Sequence, residues 1–256
     1  MQLEQVTRAL NKIWSLDDFP STASHLLVRV EPADDDWLTT RTELISNYIA
    51  ERVFERIRMV MQARFSKKLT EYLADPDTHD IASILFEHAA HFSIRKGLTL
   101  SMTRLPSGPK LDIYIPGTPV AKKEKSHYYS LSIREKPGSQ NVHADFLNLY
   151  MTPILKSEPS VHALFISPEY ITFLFQMTVS PRHPINFRGL DMIINKLPAK
   201  AQKDIRIVFI TPAQGPLGEE FKAVQSIVHP HNADTEKVKR FERLPQYVCQ
   251  MDMNTI

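Results

Sequence analysis

The run ITFLFQMTVS at residues 171–180 constrains the fold more than any other part of the chain. It joins β-branched and aromatic residues over the length of one strand, and its apolar character continues on both faces of that strand. Gln176 and Thr178 interrupt the run, and His183-Pro184 follows it. Because proline gives no N–H to a ladder and suits the first turn of a helix, the run predicts a central strand, covered on both sides and followed by a helix.

The segments around this run predict the rest of a sheet. VHALFIS precedes it, with PEY as a tight turn, so strands at residues 162–167 and 171–179 are expected to be adjacent and antiparallel. INFRGLDMIINKLP predicts the helix that follows, and DIRIVFITP and QYVCQMDM predict two further strands. LTLSMTRLP and KLDIYIPG, separated by PSGP, predict a hairpin. This order indicates an α/β fold, with a mixed sheet flanked by helices from residue 79 onward.

The amino-terminal part of the chain shows one strand pattern and two helical patterns. SHLLVRVEP alternates in polarity and predicts a strand closed by Pro32. The acidic run at residues 34–36 predicts a solvated loop that caps a helix. Apolar residues then recur at helical spacing from Thr42 to about Leu73, which predicts a long helix packed outside the sheet. IASILFEHAAHF predicts a second helix that begins near His79.

Composition and charge exclude several classes of protein. With 256 residues, of which 43% are hydrophobic, the chain can bury one large core. Lys and Arg number 31 against 29 Asp and Glu, so the net charge of +2 identifies no partner. The single cysteine, Cys249, excludes an internal disulfide framework and a multi-cysteine zinc site. No segment reaches the roughly 20 apolar residues of a membrane span, so we expect a soluble chain without a membrane partner.

A few polar side chains in apolar surroundings are the first candidates for chemistry. Glu87 and His91 lie one helical turn apart, and Gln176 and Thr178 share one face of the predicted central strand. A buried amide and hydroxyl need hydrogen-bond partners, which a turn or a buried water supplies as well as a functional site does. Glu87, His88 and His91 also permit a zinc site, although the spacing fixes no third ligand.

Longer motifs carry a resemblance to a known family. LFQMTVSPRHPINFRGL, LFEHAAHFSIRKGLTLSMTRLP, LYMTPILKSEPSVHAL and IRIVFITP resemble the C-terminal domain of the Crinkler effectors and related retrotransposon hot spot proteins in order and spacing. The similarity extends from SHLLVRVEPADDDWLTTRTELISNYIAERV to QYVCQM. It therefore covers nearly the whole chain.

This resemblance implies a restriction-endonuclease-like nuclease domain over residues 41–256. A P-loop nucleotide hydrolase often precedes that domain in such proteins, but no Gly-x-x-x-x-Gly-Lys-Ser/Thr motif occurs in this sequence. Residues 1–40 are therefore expected to be a connector or the trailing edge of that ATPase. The resemblance also implies double-stranded DNA as the partner and an intracellular, nuclear location, or secretion into a host by a leader outside this chain.

The resemblance also implies a set of catalytic residues. Glu87 matches the family's helix Glu, Gln176 and Thr178 match its Gln-x-Thr pair, and His162 stands where family members tend to have Asp. An active member would use Mg²⁺ or Mn²⁺, here held by Glu87 and His162, although Mg²⁺ prefers carboxylate oxygens. Three interpretations of His162 stay open: a ligand for a softer divalent ion, a metal-free general base, or the mark of a site that no longer cleaves.

The expected function is nucleic-acid binding by a catalytically degenerate, nuclease-like effector domain. The alternatives are an active metal-dependent DNA endonuclease with an altered ligand set and a protein-interaction scaffold. Basic residues near the expected cleft either follow a phosphate backbone or are scattered solubilising charge. They are Arg95, Lys96, Arg182, Arg188 and Lys196.

Overall fold

The computed structural model describes residues 28–33, 36–44, 65–74, 79–117, 128–129, 146–153, 161–213 and 221–252. The chain divides into two compact units, Met1–Lys68 and Leu69–Ile256. The boundary near residue 40 that the resemblance implies stays a prediction. The large sheet and the candidate site belong to the second unit.

The first unit contains an antiparallel hairpin. Strand β1 (Val28–Ala33) pairs with β2 (Asp36–Leu44), and the register shifts between Pro32 and Ala33. The strand predicted from SHLLVRVEP is confirmed from Val28 to Pro32. The helix predicted from Thr42 is wrong at its start, because Thr42 pairs with Val30 inside β2.

The physical reason for this error is the composition of β2. Its sequence, DWLTTRTEL, is rich in β-branched threonine, which favours a strand, whereas the prediction extended the helical spacing of later residues too far back. Asp36 begins β2, so the acidic run precedes a strand and not a helix; Asp34 and Asp35 lie outside the described residues. Residues 45–64 of the predicted long helix also lie outside them, and its end is helical as α1 (Phe65–Ala74).

The second unit alternates strands with helices. After α2 (His79–Arg95), the chain forms β3 (Leu98–Arg104), β4 (Lys110–Ile115), β5 (Tyr128–Tyr129), β6 (Tyr150–Pro153), β7 (Ala163–Ile166) and β8 (Ile171–Met177). It continues through β9 (Ile185–Asn186), α3 (Phe187–Lys196), β10 (Asp204–Pro212), β11 (Ile227–Val228), α4 (Thr235–Glu242) and β12 (Gln246–Met251). The helix predicted after His183-Pro184 and the strands predicted from DIRIVFITP and QYVCQMDM are confirmed as α3, β10 and β12.

The strands of the large sheet follow the order β4-β3-β12-β10-β8-β7-β6-β5. Its centre is parallel, because β10 pairs in parallel with both β8 and β12. The pairs β7 with β8, β6 with β7, β12 with β3 and β3 with β4 are antiparallel. The predicted α/β fold with a mixed sheet flanked by helices is confirmed, and so are the β3–β4 hairpin and the antiparallel pairing of the two strands predicted at residues 162–167 and 171–179.

Strand β8 is buried on both faces, as its apolar run predicts. Every residue from Thr172 to Met177 is buried. Leu174 packs in a core with Leu190 and Ile193 of α3. Phe175, on the alternate face, lies 5.7 Å from Tyr150, ring centre to ring centre, on the side that α2 covers. Helices α2 and α3 therefore cover opposite faces of β8.

We expect Asn186→Ala to lower the free energy of unfolding by about 1 kcal/mol. Asn186 is the N-cap of α3, and its side-chain oxygen accepts the backbone N–H of Gly189 at 3.1 Å. Urea unfolding followed by circular dichroism measures the loss. Asn186→Ser keeps a capping oxygen and should lose less; equal losses in the two variants would contradict the role of the cap.

Candidate functional site

Helix α2 carries the first part of the site. Its Glu87 and His91 lie one turn apart, and Glu87 Oε1 is 3.5 Å from His91 Nε2. The other ring nitrogen, Nδ1, lies 2.8 Å from the hydroxyl of the fully buried Tyr150. A single arrangement of protons satisfies all three groups: Tyr150 donates to Nδ1, and Nε2–H points to the Glu87 carboxylate. The ring of His91 is then neutral.

His162 lies just before β7 and faces Glu87. Its backbone N–H donates to Phe175 O at 2.8 Å, and its ring Nδ1 accepts the backbone N–H of Met177 at 3.2 Å. Nδ1 is also 4.0 Å from Glu87 Oε2. Because the neutral ring accepts at Nδ1, its own proton lies on Nε2. The turn at the start of β7 thus presents His162 as an N–H donor, with 27% of its side chain exposed.

His183 and Thr178 complete the site at the same end of β8 as His162. The rings of His183 and His162 are 6.5 Å apart, centre to centre, with one edge directed at the other face. Thr178 Oγ1 lies 3.4 Å from His183 Nδ1 and accepts the backbone N–H of Ser180 at 3.0 Å. Glu87, His91, His162 and His183 are named here the histidine cluster.

His183 was not among the residues predicted for the site. The pair His183-Pro184 was predicted to end the strand, but β8 already ends at Met177, so the pair lies in the irregular segment between β8 and β9. The sequence signal that could have placed His183 in the site was its closeness in sequence to Thr178. The Thr178 hydroxyl accepts the backbone N–H of Ser180 in the turn that follows β8. The backbone N–H of His183 is held by Gln225 Oε1 at 2.7 Å, a contact between distant segments that no local pattern reveals.

Gln176 does not join the cluster. Alternation along β8 places it on the side of Leu174, under α3, and beside Phe209 of β10. Glu87 belongs to α2, which covers the opposite face. Gln176 is 1% exposed, and its Oε1 has no hydrogen-bond partner among the described residues. Of the predicted catalytic residues, the structure brings Glu87 and His162 within 4.0 Å of each other and places Thr178 beside His183. Gln176 lies beside Phe209, whose ring centre is 6.5 Å from that of His183.

Burial and the neighbouring histidines set the charges of the cluster. Partial burial opposes ionisation of Glu87, but attraction to the His162 ring in its protonated form, and then the hydrogen bond with His91, outweigh it and hold the pKa of Glu87 well below the usual range. With the His162 ring neutral, the hydrogen bond from His91 is the contact that favours the Glu87 carboxylate. Burial lowers the pKa of His91 to about 4 against the opposing pull of Glu87. Burial also raises the pKa of the Tyr150 hydroxyl. Near neutral pH, Glu87 is therefore ionised, His91 is neutral and Tyr150 keeps its proton.

The donor atoms of the cluster fit a divalent metal poorly. Within the part of the chain that the structure describes, no group of three or more His, Cys, Asp or Glu side chains could hold a metal ion, and Glu87, His88 and His91 form no such group. The Nδ1 lone pair of His162 is taken by Met177 N–H, and Nε2 carries the ring proton. Glu87 is the one carboxylate of the cluster, whereas Mg²⁺ sites use carboxylate oxygens with water.

The predicted basic residues do not form one surface. Arg95 and Lys96 end α2; Arg95 Nη2 donates to Thr152 Oγ1 at 3.0 Å, and Lys96 Nζ lies 4.2 Å from the ring centre of Phe92. The other three are an exposed Arg182 in the turn after β8 and Arg188 and Lys196 on α3. The cations of α2 and those of α3 lie on helices that cover opposite faces of β8. Arg182 is the predicted cation closest in sequence to the turn that holds Thr178 and His183.

No protein-family model, curated protein or solved structure matches the chain. The resemblance to Crinkler and retrotransposon hot spot domains therefore stays a prediction. None of the helices in the described part of the chain is long and apolar enough to cross a membrane.

We expect the protein to lose stability as the pH falls from about 6.5 to 4, with His91 contributing about 3 kcal/mol. The folded pKa of His91 lies below its ordinary 6.5, so folding favours the neutral ring. The contribution of His91 to stability is fully present above pH 6.5. It is lost as the pH falls toward 4, because the unfolded chain binds a proton at His91 at a higher pH than the folded chain does. Glu87, whose pKa is also lowered, adds a further loss below its ordinary value of 4.5.

Urea unfolding between pH 4 and 7.5 measures this dependence. His91→Gln keeps hydrogen-bonding groups toward Tyr150 and Glu87 but removes the titrating ring, so its stability should vary less with pH. His231→Gln, a change at an exposed histidine, is the matched control. An unchanged pH profile in His91→Gln would contradict the assignment.

Proposed function

We propose that the chain is a nucleic-acid-binding, nuclease-like domain in which His162 donates a hydrogen bond to phosphate and does not support metal-dependent cleavage. The observation that carries this proposal is the hydrogen bond from Met177 N–H to His162 Nδ1. It leaves Nε2–H as the free polar group of a partly exposed ring. Phosphate oxygens are acceptors that such a donor suits.

The same hydrogen bond argues against the two catalytic interpretations of His162. A metal ligand or a general base needs a nitrogen with a free lone pair, and neither ring nitrogen offers one in this arrangement. Glu87 then remains as the single carboxylate of the cluster. Its two oxygens lie 3.5 Å from His91 Nε2 and 4.0 Å from His162 Nδ1.

The finer identity of the domain rests on the resemblance. A mixed sheet flanked by helices is compatible with a restriction-endonuclease-like fold, and the His at position 162 is compatible with a degenerate member of the Crinkler and retrotransposon hot spot group. Double-stranded DNA as the partner, a nuclear location and secretion into a host belong to the same proposal. Arg182 is the basic residue best placed to add a phosphate contact next to the cluster.

The second candidate is an active metal-dependent endonuclease. The 4.0 Å between Glu87 Oε2 and His162 Nδ1 favours it, because a small rotation of the ring would place a nitrogen and a carboxylate oxygen around one ion. In that case Glu87 and His162 are the metal ligands and Mn²⁺ suits them better than Mg²⁺.

Two substitutions of His162 separate binding from structure. Asn places an acceptor where Nδ1 stands and keeps the bond from Met177 N–H, whereas Gln places an amide N–H near the position of Nε2. We expect His162→Gln to keep duplex DNA affinity and His162→Asn to lose about tenfold, the effect of one hydrogen bond to a charged group. We expect the reverse order for stability, with His162→Gln losing about 1 kcal/mol.

Fluorescence anisotropy with a labelled duplex at several salt concentrations measures the affinity. The logarithm of the affinity should fall linearly with the logarithm of the salt concentration, and Arg182→Glu should make the slope shallower. Arg243→Glu reverses an exposed charge elsewhere and is the matched control. Absence of DNA binding at low salt would favour the protein-interaction scaffold.

A nicking assay tests the remaining alternative. We expect little cleavage of supercoiled DNA by the wild type with Mg²⁺ or Mn²⁺, and a gain in His162→Asp, which restores a second carboxylate opposite Glu87. Adding Glu87→Ala to His162→Asp should abolish that gain. Robust metal-dependent cleavage by the wild type that Glu87→Ala removes would establish the endonuclease instead.

A further inference from the structure

A groove of about 480 Å³ opens on the sheet where β4, β3 and β12 meet. None of its lining residues belongs to the histidine cluster or to the predicted basic residues. Its volume lies within the range of sites for small ligands. No local sequence pattern indicates this groove, because its residues come from four separate segments of the chain.

The sheet register builds the floor of the groove. Lys110 of β4 stands opposite Thr103 of β3, and Thr103 stands opposite Val248 of β12. Residues opposite each other point to the same face, so these three side chains form one row across three strands. Ser101 lies two residues before Thr103 on β3, and Gln250 lies two residues after Val248 on β12. These two side chains form the next row on the same face. The wall is formed by Phe221 and Lys222.

The charged side chains that line the groove, among the described residues, are two lysines. Lys110 and Lys222 are both exposed and approach it from different segments. No Asp or Glu of the described residues lines the groove. Asp112 stands opposite Ser101 on the same face of the sheet and accepts the hydroxyl of Ser101, so one carboxylate borders the groove without lining it. Two ammonium groups with the hydroxyl of Thr103 and the amide of Gln250 offer several donors to one anion.

A buried polar atom lies beside this row of donors. Thr211 of β10 stands next to Gln250 in the parallel register and is 0% exposed. Its hydroxyl has no hydrogen-bond partner among the described residues. Thr211 lies on a central strand and is not one of the residues that line the groove.

Apolar side chains complete the lining. Leu105 and Val248 lie on the floor, and Pro106 is exposed at the rim. A bare inorganic anion would make no use of them. We propose that the groove binds a small phosphomonoester of the size of a mononucleotide or a sugar phosphate, with the phosphate between Lys110 and Lys222. The proposal does not depend on the nucleic-acid function of the histidine cluster.

Isothermal titration calorimetry with AMP, ribose 5-phosphate and adenosine tests the groove on the full chain. We expect the phosphorylated probes to bind and adenosine to bind at least about tenfold more weakly, because it lacks the charged group. Binding of AMP alone identifies a nucleotide site, and comparable binding of both phosphates identifies a sugar-phosphate site. Lys110→Glu and Lys222→Glu should each weaken binding about tenfold or more.

Lys203→Glu is the matched control, since it makes the same charge change at an exposed lysine just before the amino end of β10. Thr103→Val, which removes one hydroxyl at nearly constant shape, should weaken binding while leaving thermal unfolding close to that of the wild type. The proposal is overturned if neither phosphate binds at millimolar concentration, if adenosine binds as tightly as AMP, or if both lysine reversals leave binding unchanged. His162→Asn should leave AMP binding unaffected, which separates this test from that of the cluster.

Discussion

The burial of β8 on both faces is the constraint on which the rest of the structure depends. A strand with two covered faces has one tolerable register, because a slip of one residue would exchange every side chain between the α2 layer and the α3 layer. That register places Gln176 with Leu174 under α3. Polar groups that meet near β8 must therefore come from where its ends and neighbours leave the sheet, which is where His162, Thr178 and His183 lie.

The histidine cluster has a buried part, formed by His91 with Tyr150 and Glu87, and a partly exposed part at His162. Tyr150, His91 and Glu87 satisfy one another in a single pattern of protons, with the negative charge at the partly exposed carboxylate. His162 is held by a backbone N–H and not by a side chain, so its orientation follows the path of β8. Such an arrangement resists reorganisation, so the side chains of the cluster are held in fixed orientations.

Local patterns were sufficient for most of the sheet and insufficient for the site. The apolar run of β8, the turn before it and the proline after it are signals carried by adjacent residues, and the strands and helix they predict are present. The predicted start of the first helix is wrong because Thr42 pairs with Val30 across a hairpin, and this pairing overrides the helical spacing of the apolar residues. The separation of Gln176 from Glu87 and the approach of His183 to His162 depend on which helix covers which face, and no spacing within one segment encodes that.

The strand order has a consequence for how the molecule is made. Strand β12 is the last of the described strands to be synthesised, yet it lies between β10 and β3. Until it emerges, the β3–β4 hairpin has no hydrogen-bonded link to the parallel centre of the sheet in the described register. The complete sheet therefore requires long-range pairing by the last described strand, and pairing of this kind slows folding.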